Sequence, residues 1–186
     1  MSWRRITITA MFAGVALLAV PAWLNPAPRY IWNASASVPI GLYRVEPATR
    51  IEVTDLVAVM PPDALANYLD TRGYLPRGVP MIKRVLALSG TTVCRRGTTI
   101  FAYDHAYGEA RQRDNAGRDL PIWQGCRMLR DSEVFLMNWD APDSFDGRYF
   151  GALPMDSVIA RVVPVWTGED GDGCFRWRAG DNPTAP

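Results

Sequence analysis

A chain of 186 residues is about one domain's worth on the prior of roughly 150 residues per domain, and it is long enough to bury a sizeable core. With 48% hydrophobic and 21% charged residues it is too apolar for a disordered chain, and its 15 glycines follow no collagen-like period. The formal charge of +1 is uneven: residues 1–30 hold three arginines and no acid, so the rest carries 17 basic against 19 acidic groups and offers no electrostatic footprint for nucleic acid.

Residues 6–23 run for eighteen positions without a charge. A helix of that length rises about 27 Å, close to the roughly 30 Å hydrocarbon core of a bilayer. The expectation is a single transmembrane helix over 6–23, with residues 1–5 held on the cytoplasmic side by Arg4 and Arg5. A buried core helix is the competing reading, and uniform apolarity at the extreme N-terminus weighs against it. Val20-Pro21-Ala22 is only a passable small-residue cleavage site, so a retained anchor is favoured. The Arg-Arg pair also resembles a twin-arginine signal, although a flanking charge explains it equally well. The body is then expected on the outer, oxidising side of that membrane. In that oxidising space Cys94–Cys126 is the favoured disulfide, with Cys174 outside it or as an alternative partner.

A Pro-rich connector is expected over 24–32, a single domain over 33–167, and a solvated tail over 168–186. The body reads as mainly β. Runs rich in Val, Ile, Leu and aromatics, bordered by Gly or Pro, predict strands over 42–45, 56–60, 81–88, 99–103, 133–137 and 158–166. One short helix is expected after Pro62-Asp63, where Ala64, Leu65, Tyr68 and Leu69 recur at helical spacing before Gly73. Residues 104–131 are polar, bear Gly and Arg, and read as a long excursion from the sheet. The tail has an Asp-Gly rhythm faintly like a calcium loop, but it lacks the rest of that ligand series.

Residue choice narrows the chemistry. Of the 20 basic residues only Lys83 is lysine, and His105 is the only histidine. Ser-His-Asp hydrolysis would have to pass through that one imidazole, and a zinc site would need Cys or carboxylate for nearly every ligand. Lys83 stands in Pro80-Met81-Ile82-Lys83-Arg84-Val85-Leu86-Ala87-Leu88, where Met81, Lys83, Val85 and Ala87 alternate onto one otherwise apolar face. A solvated strand would make this an ordinary surface charge. A buried strand would make it a base, because desolvation lowers a lysine pKa, whereas a guanidinium keeps its proton. Hydroxyl partners cluster in Asn33-Ala34-Ser35-Ala36-Ser37-Val38-Pro39-Ile40-Gly41-Leu42-Tyr43. Taken alone, Ser-x-Pro-x-Gly is a turn at the start of a strand.

Taken together, three segments resemble the conserved boxes of the signal peptidase I superfamily, and within it the TraF-type peptidases of conjugative transfer. Ser37-Val38-Pro39-Ile40-Gly41-Leu42-Tyr43 is similar to the nucleophile box. Arg72-Gly73-Tyr74-Leu75 and Ile82-Lys83-Arg84-Val85-Leu86-Ala87-Leu88-Ser89-Gly90 are similar to the general-base box. Phe145-Asp146-Gly147-Arg148-Tyr149-Phe150-Gly151 is similar to the late box. The resemblance implies a signal-peptidase-like β fold and a serine endopeptidase with a Ser-Lys dyad. Ser37 is the implied nucleophile and Lys83 the implied general base. Ser35 matches the hydroxyl that assists the oxyanion, Ser144 the serine that orients the amine, and Asp146 with Arg148 a structural ion pair. Gly147 departs from the usual Ser, Ser89-Gly90-Thr91 from Pro-Gly-Asp, and Asn138-Trp139-Asp140 from Gly-Asp-Asn.

No metal or cofactor is implied. The implied partners are the lipid bilayer and exported precursors such as pilin subunits, with no nucleic acid, and a monomer is expected. Three readings compete: a general leader peptidase, a peptidase that joins pilin termini instead of hydrolysing them, and a non-catalytic membrane-anchored assembly factor.

Overall fold

The computed structural model describes residues 3–24, 27–168 and 173–178. The apolar N-terminus is one helix, α1 (Trp3–Leu24), whose described side chains lie exposed. It is long and apolar enough to cross a membrane, and begins three residues before the expected span.

The body is mainly β, with the strands β1 (Tyr30–Asn33), β2 (Ile40–Glu46) and β3 (Leu56–Val59) first in the chain. Helix α2 (Asp63–Thr71) follows, at the place and length expected. Then come β4 (Met81–Ala87), β5 (Thr92–Arg96), β6 (Thr99–Ala102), β7 (His105–Glu109), β8 (Gly125–Met128) and β9 (Glu133–Leu136). A one-turn helix, α3 (Gly147–Phe150), is a second helical element beyond the single one expected in the body. The strands β10 (Leu153–Pro154), β11 (Val158–Gly168) and β12 (Arg176–Trp177) complete the described chain.

The large sheet runs β1-β2-β11-β3-β4-β9-β10, with β12 added against β11; a second sheet runs β7-β6-β5-β8. Strand β4 is central to the first, and six of its seven residues are buried. Its Met81 and Val85 join Val57, Val59, Val134 and Leu136 in one apolar cluster. Leu86 and Ala87 join Val93, Ile100, Phe135 and Met137 in another, which glues the two sheets together. Ala87 therefore does not share the face of Met81 and Val85: the register between β4 and β9 shifts between Val85 and Ala87, and a bulge turns the strand end over.

Three segments outside the expected strands also carry regular structure. Tyr30–Asn33, assigned to the connector and the domain's first residue, is a strand paired with β2 in register Asn33↔Gly41. Residues 104–131 do leave the large sheet, but they contribute β7 and β8 to the small one. There Cys94 and Cys126 sit opposite each other and form the disulfide. The tail also returns to the body, since Arg176 pairs with Thr167 and Phe175 packs on Trp32 and Trp166. Most of its Asp-Gly run, residues 169–172, lies outside the described residues.

Candidate active site

The nucleophile box owes its shape to three local devices. Gly41 stands at φ +149°, and a Cβ there would lie 2.1 Å from the Trp166 carbonyl oxygen, so only glycine lets β2 approach β11 this closely. Tyr43, fully buried, donates its hydroxyl to the Pro39 carbonyl at 2.6 Å and pins the turn from within. Asn33, 7% exposed, threads the loop: its amide donates to the carbonyls of Ser35, Val38 and Pro39 at 2.7, 3.0 and 3.1 Å. Its Oδ1 accepts the Ser35 amide at 3.2 Å and the Ser35 hydroxyl at 3.0 Å.

Proton counting gives this loop a direction. Ser35 and Ser37 hydroxyls are 3.0 Å apart. A hydroxyl has one proton, and that of Ser35 goes to Asn33, so Ser37 is the donor to Ser35.

The base box lies across the sheet. Lys83 pairs with Val57 and is 5% exposed, which excludes the solvated-strand reading. Burial lowers its pKa to about 8 from an ordinary 10.5, with Asp146 opposing that shift and Arg148 adding to it. The amine donates to Ser144 Oγ at 2.7 Å. The Asp146–Arg148 pair behind Ser144 is bidentate: Nε meets Oδ1 at 2.9 Å and Nη2 meets Oδ2 at 2.8 Å, with side chains 0% and 1% exposed. Arg148 also binds the carbonyls of Ala141 and Ser144 at 2.6 and 3.1 Å, so residues 138–146 are wound around one guanidinium. The second sheet braces the turn from outside. Arg95 Nη1 donates to the Arg148 carbonyl at 2.6 Å, and Trp123 Nε1 to that of Gly147 at 3.0 Å.

Tyr74 of the Arg-Gly-Tyr-Leu segment packs on Phe145, and its hydroxyl donates to Asp114 at 2.5 Å. That bond, with help from Arg118, holds the Asp114 carboxyl well below the usual range, and burial pushes the Tyr74 phenol up. The segment thus fastens the excursion to the back of the Ser144–Asp146 stretch.

The structure brings Lys83, Ser144, Asp146 and Arg148 into one buried group, and Ser35 with Ser37 into a second. The two groups meet through their neighbours: Val38 and Ile82 lie in one cluster with Tyr43, Ala58, Ala160 and Val162. Among the described residues the Ser37 hydroxyl is bonded to Ser35, and the Lys83 amine to Ser144. Among the described residues no direct Ser37–Lys83 hydrogen bond is formed.

Two polar residues escaped the sequence reading, Asn33 and Asn138. Asn138, 3% exposed, accepts the Arg84 amide at 2.8 Å and turns its own amide toward Ile82 and Ser144. Its only trace in the sequence is that Asn138-Trp139-Asp140 departs from the Gly-Asp-Asn of the resembled family, which names no partner for it. Gly147 is explained as well: a Cβ there would lie 2.7 Å from the Leu136 carbonyl and 2.8 Å from the Phe135 ring. The space a serine side chain would need is filled here. Gly147→Ser should therefore cost about 1–3 kcal/mol by overpacking, read as a lowered melting temperature; an unchanged melt would mean that the Leu136 backbone and the Phe135 ring both give way freely.

The family model described as signal peptidase, peptidase S26, matches residues 2–167. The plasmid transfer protein TraF of Escherichia coli is 32% identical over 174 residues, 88% of this chain and 97% of that one. The conjugal transfer protein TraF of Agrobacterium fabrum is 33% identical over 147 residues, 74% of this chain and 82% of that one. A signal peptidase I from Enterococcus faecalis aligns with a TM-score of 0.39 at 19% identity, over 62% of this chain and 98% of that one, too loosely to add to the fold above. The family model spans nearly the whole body and all three boxes, and the chain belongs to the signal peptidase family, peptidase S26.

Proposed function

We propose that the chain is a membrane-anchored serine endopeptidase that cuts the leader segment from exported precursors such as conjugative pilin subunits. Ser37 is the nucleophile and Lys83 the general base. The observation that carries this reading is the single lysine, buried and bonded to Ser144, with a pKa of about 8. At pH 7 an amine of ordinary pKa costs about 5 kcal/mol to deprotonate, and one near 8 about 1.4.

In the reaction the Ser37 hydroxyl leaves Ser35 and passes its proton to the Lys83 amine while Oγ attacks the scissile carbonyl. The developing oxyanion takes the Ser37 N–H and the Ser35 hydroxyl, once that hydroxyl turns from Asn33; one such donor is typically worth about 10²–10³ in kcat. Lys83 returns the proton to the departing amine. Water, activated by the same amine, then releases the acid and restores Ser37.

Helix α1 supports an anchor, with the body on the periplasmic side. Exposed aromatics support contact with the bilayer surface: Trp23, Tyr30, Trp32 and Trp177 are exposed, Trp177 stacks on Trp166, and Trp32 packs against Trp166 at a tilt. Tethering enzyme and precursor to one membrane raises their effective concentration. The names of the TraF relatives point the substrate toward conjugation.

The test is co-expression of the full chain with precursors encoded beside it, reading products by intact mass. A product shortened by the leader, formed by carbonate-washed membranes and blocked by an electrophile on Ser37, is the expected result. A product lighter by one water reveals end-joining. Failure of every precursor to change, with Ser37 inert to the electrophile, rejects the enzyme.

A further inference from the structure

Around Lys83 almost everything is apolar or already spoken for. Facing it, β3 brings only Leu56, Val57, Ala58 and Val59. The charged groups nearby are Asp146 and Arg148, paired with each other, and the Arg84–Asp140 pair of β4 and the loop, 4.0 Å apart and partly solvated. One neutral polar side chain touches both the strand and the amine's partner. Asn138 Oδ1 accepts the Arg84 amide at 2.8 Å, and Nδ2 reaches the Ile82 carbonyl at 3.4 Å, so one side chain grips the backbone on both sides of Lys83. The same Nδ2 faces Ser144 Oγ at 3.5 Å.

We propose that Asn138 is a positioning residue for the Ser-Lys chemistry: it locks the strand that carries Lys83 and presents the donor side of its amide to Ser144. The assignment deepens the peptidase reading and rests on it for its kinetic consequence only.

The orientation follows from bond accounting. The Arg84 N–H must be met by an acceptor, which fixes Oδ1 toward the strand and leaves the NH2 group toward Ser144. The backbone of Asn138 is held independently, because its N–H donates to Asp146 Oδ2 at 3.0 Å and its carbonyl takes Arg148 at 3.4 Å. A donor on Ser144 Oγ competes with the ammonium for that acceptor and so disfavours the charged form. An acceptor would do the reverse and would also compete for the Lys83 protons.

One lysine in the chain makes the test direct, because protein labelled with carbon-13 at the lysine ε position gives a single side-chain signal. Its titration is followed in the detergent-solubilised full chain for the wild type, Asn138→Asp and Asn138→Ala. With Asp, nearly isosteric but acceptor-only, the Lys83 midpoint should rise by about one unit or more, and kcat/KM at pH 7 should fall about tenfold with the acid limb displaced by the same amount. With Ala, water enters beside the amine and the midpoint should also rise, by less. Should the Asp variant not fold, the Ala variant decides alone. A midpoint unmoved in either folded variant overturns the assignment. If Ser37 proves inert to electrophiles while the lysine signal moves as described, the peptidase reading fails and only the hold of Asn138 on Lys83 and Ser144 stands.

Discussion

Lys83→Arg is expected to be as inactive as Lys83→Ala, with processing down by about 10⁴-fold, the upper end for a general base, while the domain stays folded. Charge is conserved in the Arg variant, and so is a donor for Ser144. What is lost is the ability to give up a proton, since guanidinium stays protonated in proteins. Appreciable processing by Lys83→Arg would remove Lys83 from the chemistry. Lys83→Met, equally inactive, carries the opposite sign for stability. A folded-state pKa of about 8 against an ordinary 10.5 means that the unfolded chain binds the proton more tightly, so holding this amine costs about 3 kcal/mol at pH 7. That cost is complete below pH 8 and disappears as pH rises toward 10.5, where stability contributed by the group increases. Lys83→Met should therefore melt several degrees above the wild type at pH 7, and the gap should close by pH 10.5. Equal melting temperatures at pH 7 would mean that the amine is not desolvated in solution.

The same residue explains why so much of the site could be read from the chain. Lys83 stood out through contrast, one amine among arginines in an apolar run, and its burial followed from the strand being central. The long strands β2, β4 and β11 were legible for the same reason, as continuous or alternating apolar runs between turn residues. Strands β7 and β8 carry no such pattern. His-Ala-Tyr-Gly-Glu and Gly-Cys-Arg-Met are exposed or half-buried throughout, and they are strands because a neighbouring edge and the Cys94–Cys126 bond hold them. β5 hides a buried Arg95 whose partner carbonyl lies at Arg148, far along the chain. No local pattern announces such a contact. Asn33 and Asn138 belong to this class. Their composition reads as turn, and their role exists only once distant backbone groups need partners.

Breaking the ion pair behind Ser144 is the second change with a large expected effect. Asp146→Ala leaves Arg148 buried with its carbonyls but without its counter-charge, and such uncompensated charges typically cost about 3–5 kcal/mol. At about 2–4 °C per kcal/mol for a chain of this size, the melting temperature should fall by roughly 6–20 °C. Arg148→Met should cost a similar amount, because it strips the support from the carbonyls of Ala141 and Ser144 and leaves Asp146 unpaired. The two variants should nevertheless differ at Lys83. Asp146 favours the ammonium and Arg148 opposes it, so the lysine midpoint should fall in Asp146→Ala and rise in Arg148→Met. The double variant Asp146→Ala/Arg148→Met removes both charges together and should be less destabilised than the sum of the singles. Strict additivity, or lysine midpoints that move in the same direction in both single variants, would mean that the pair does not act as one unit behind the amine.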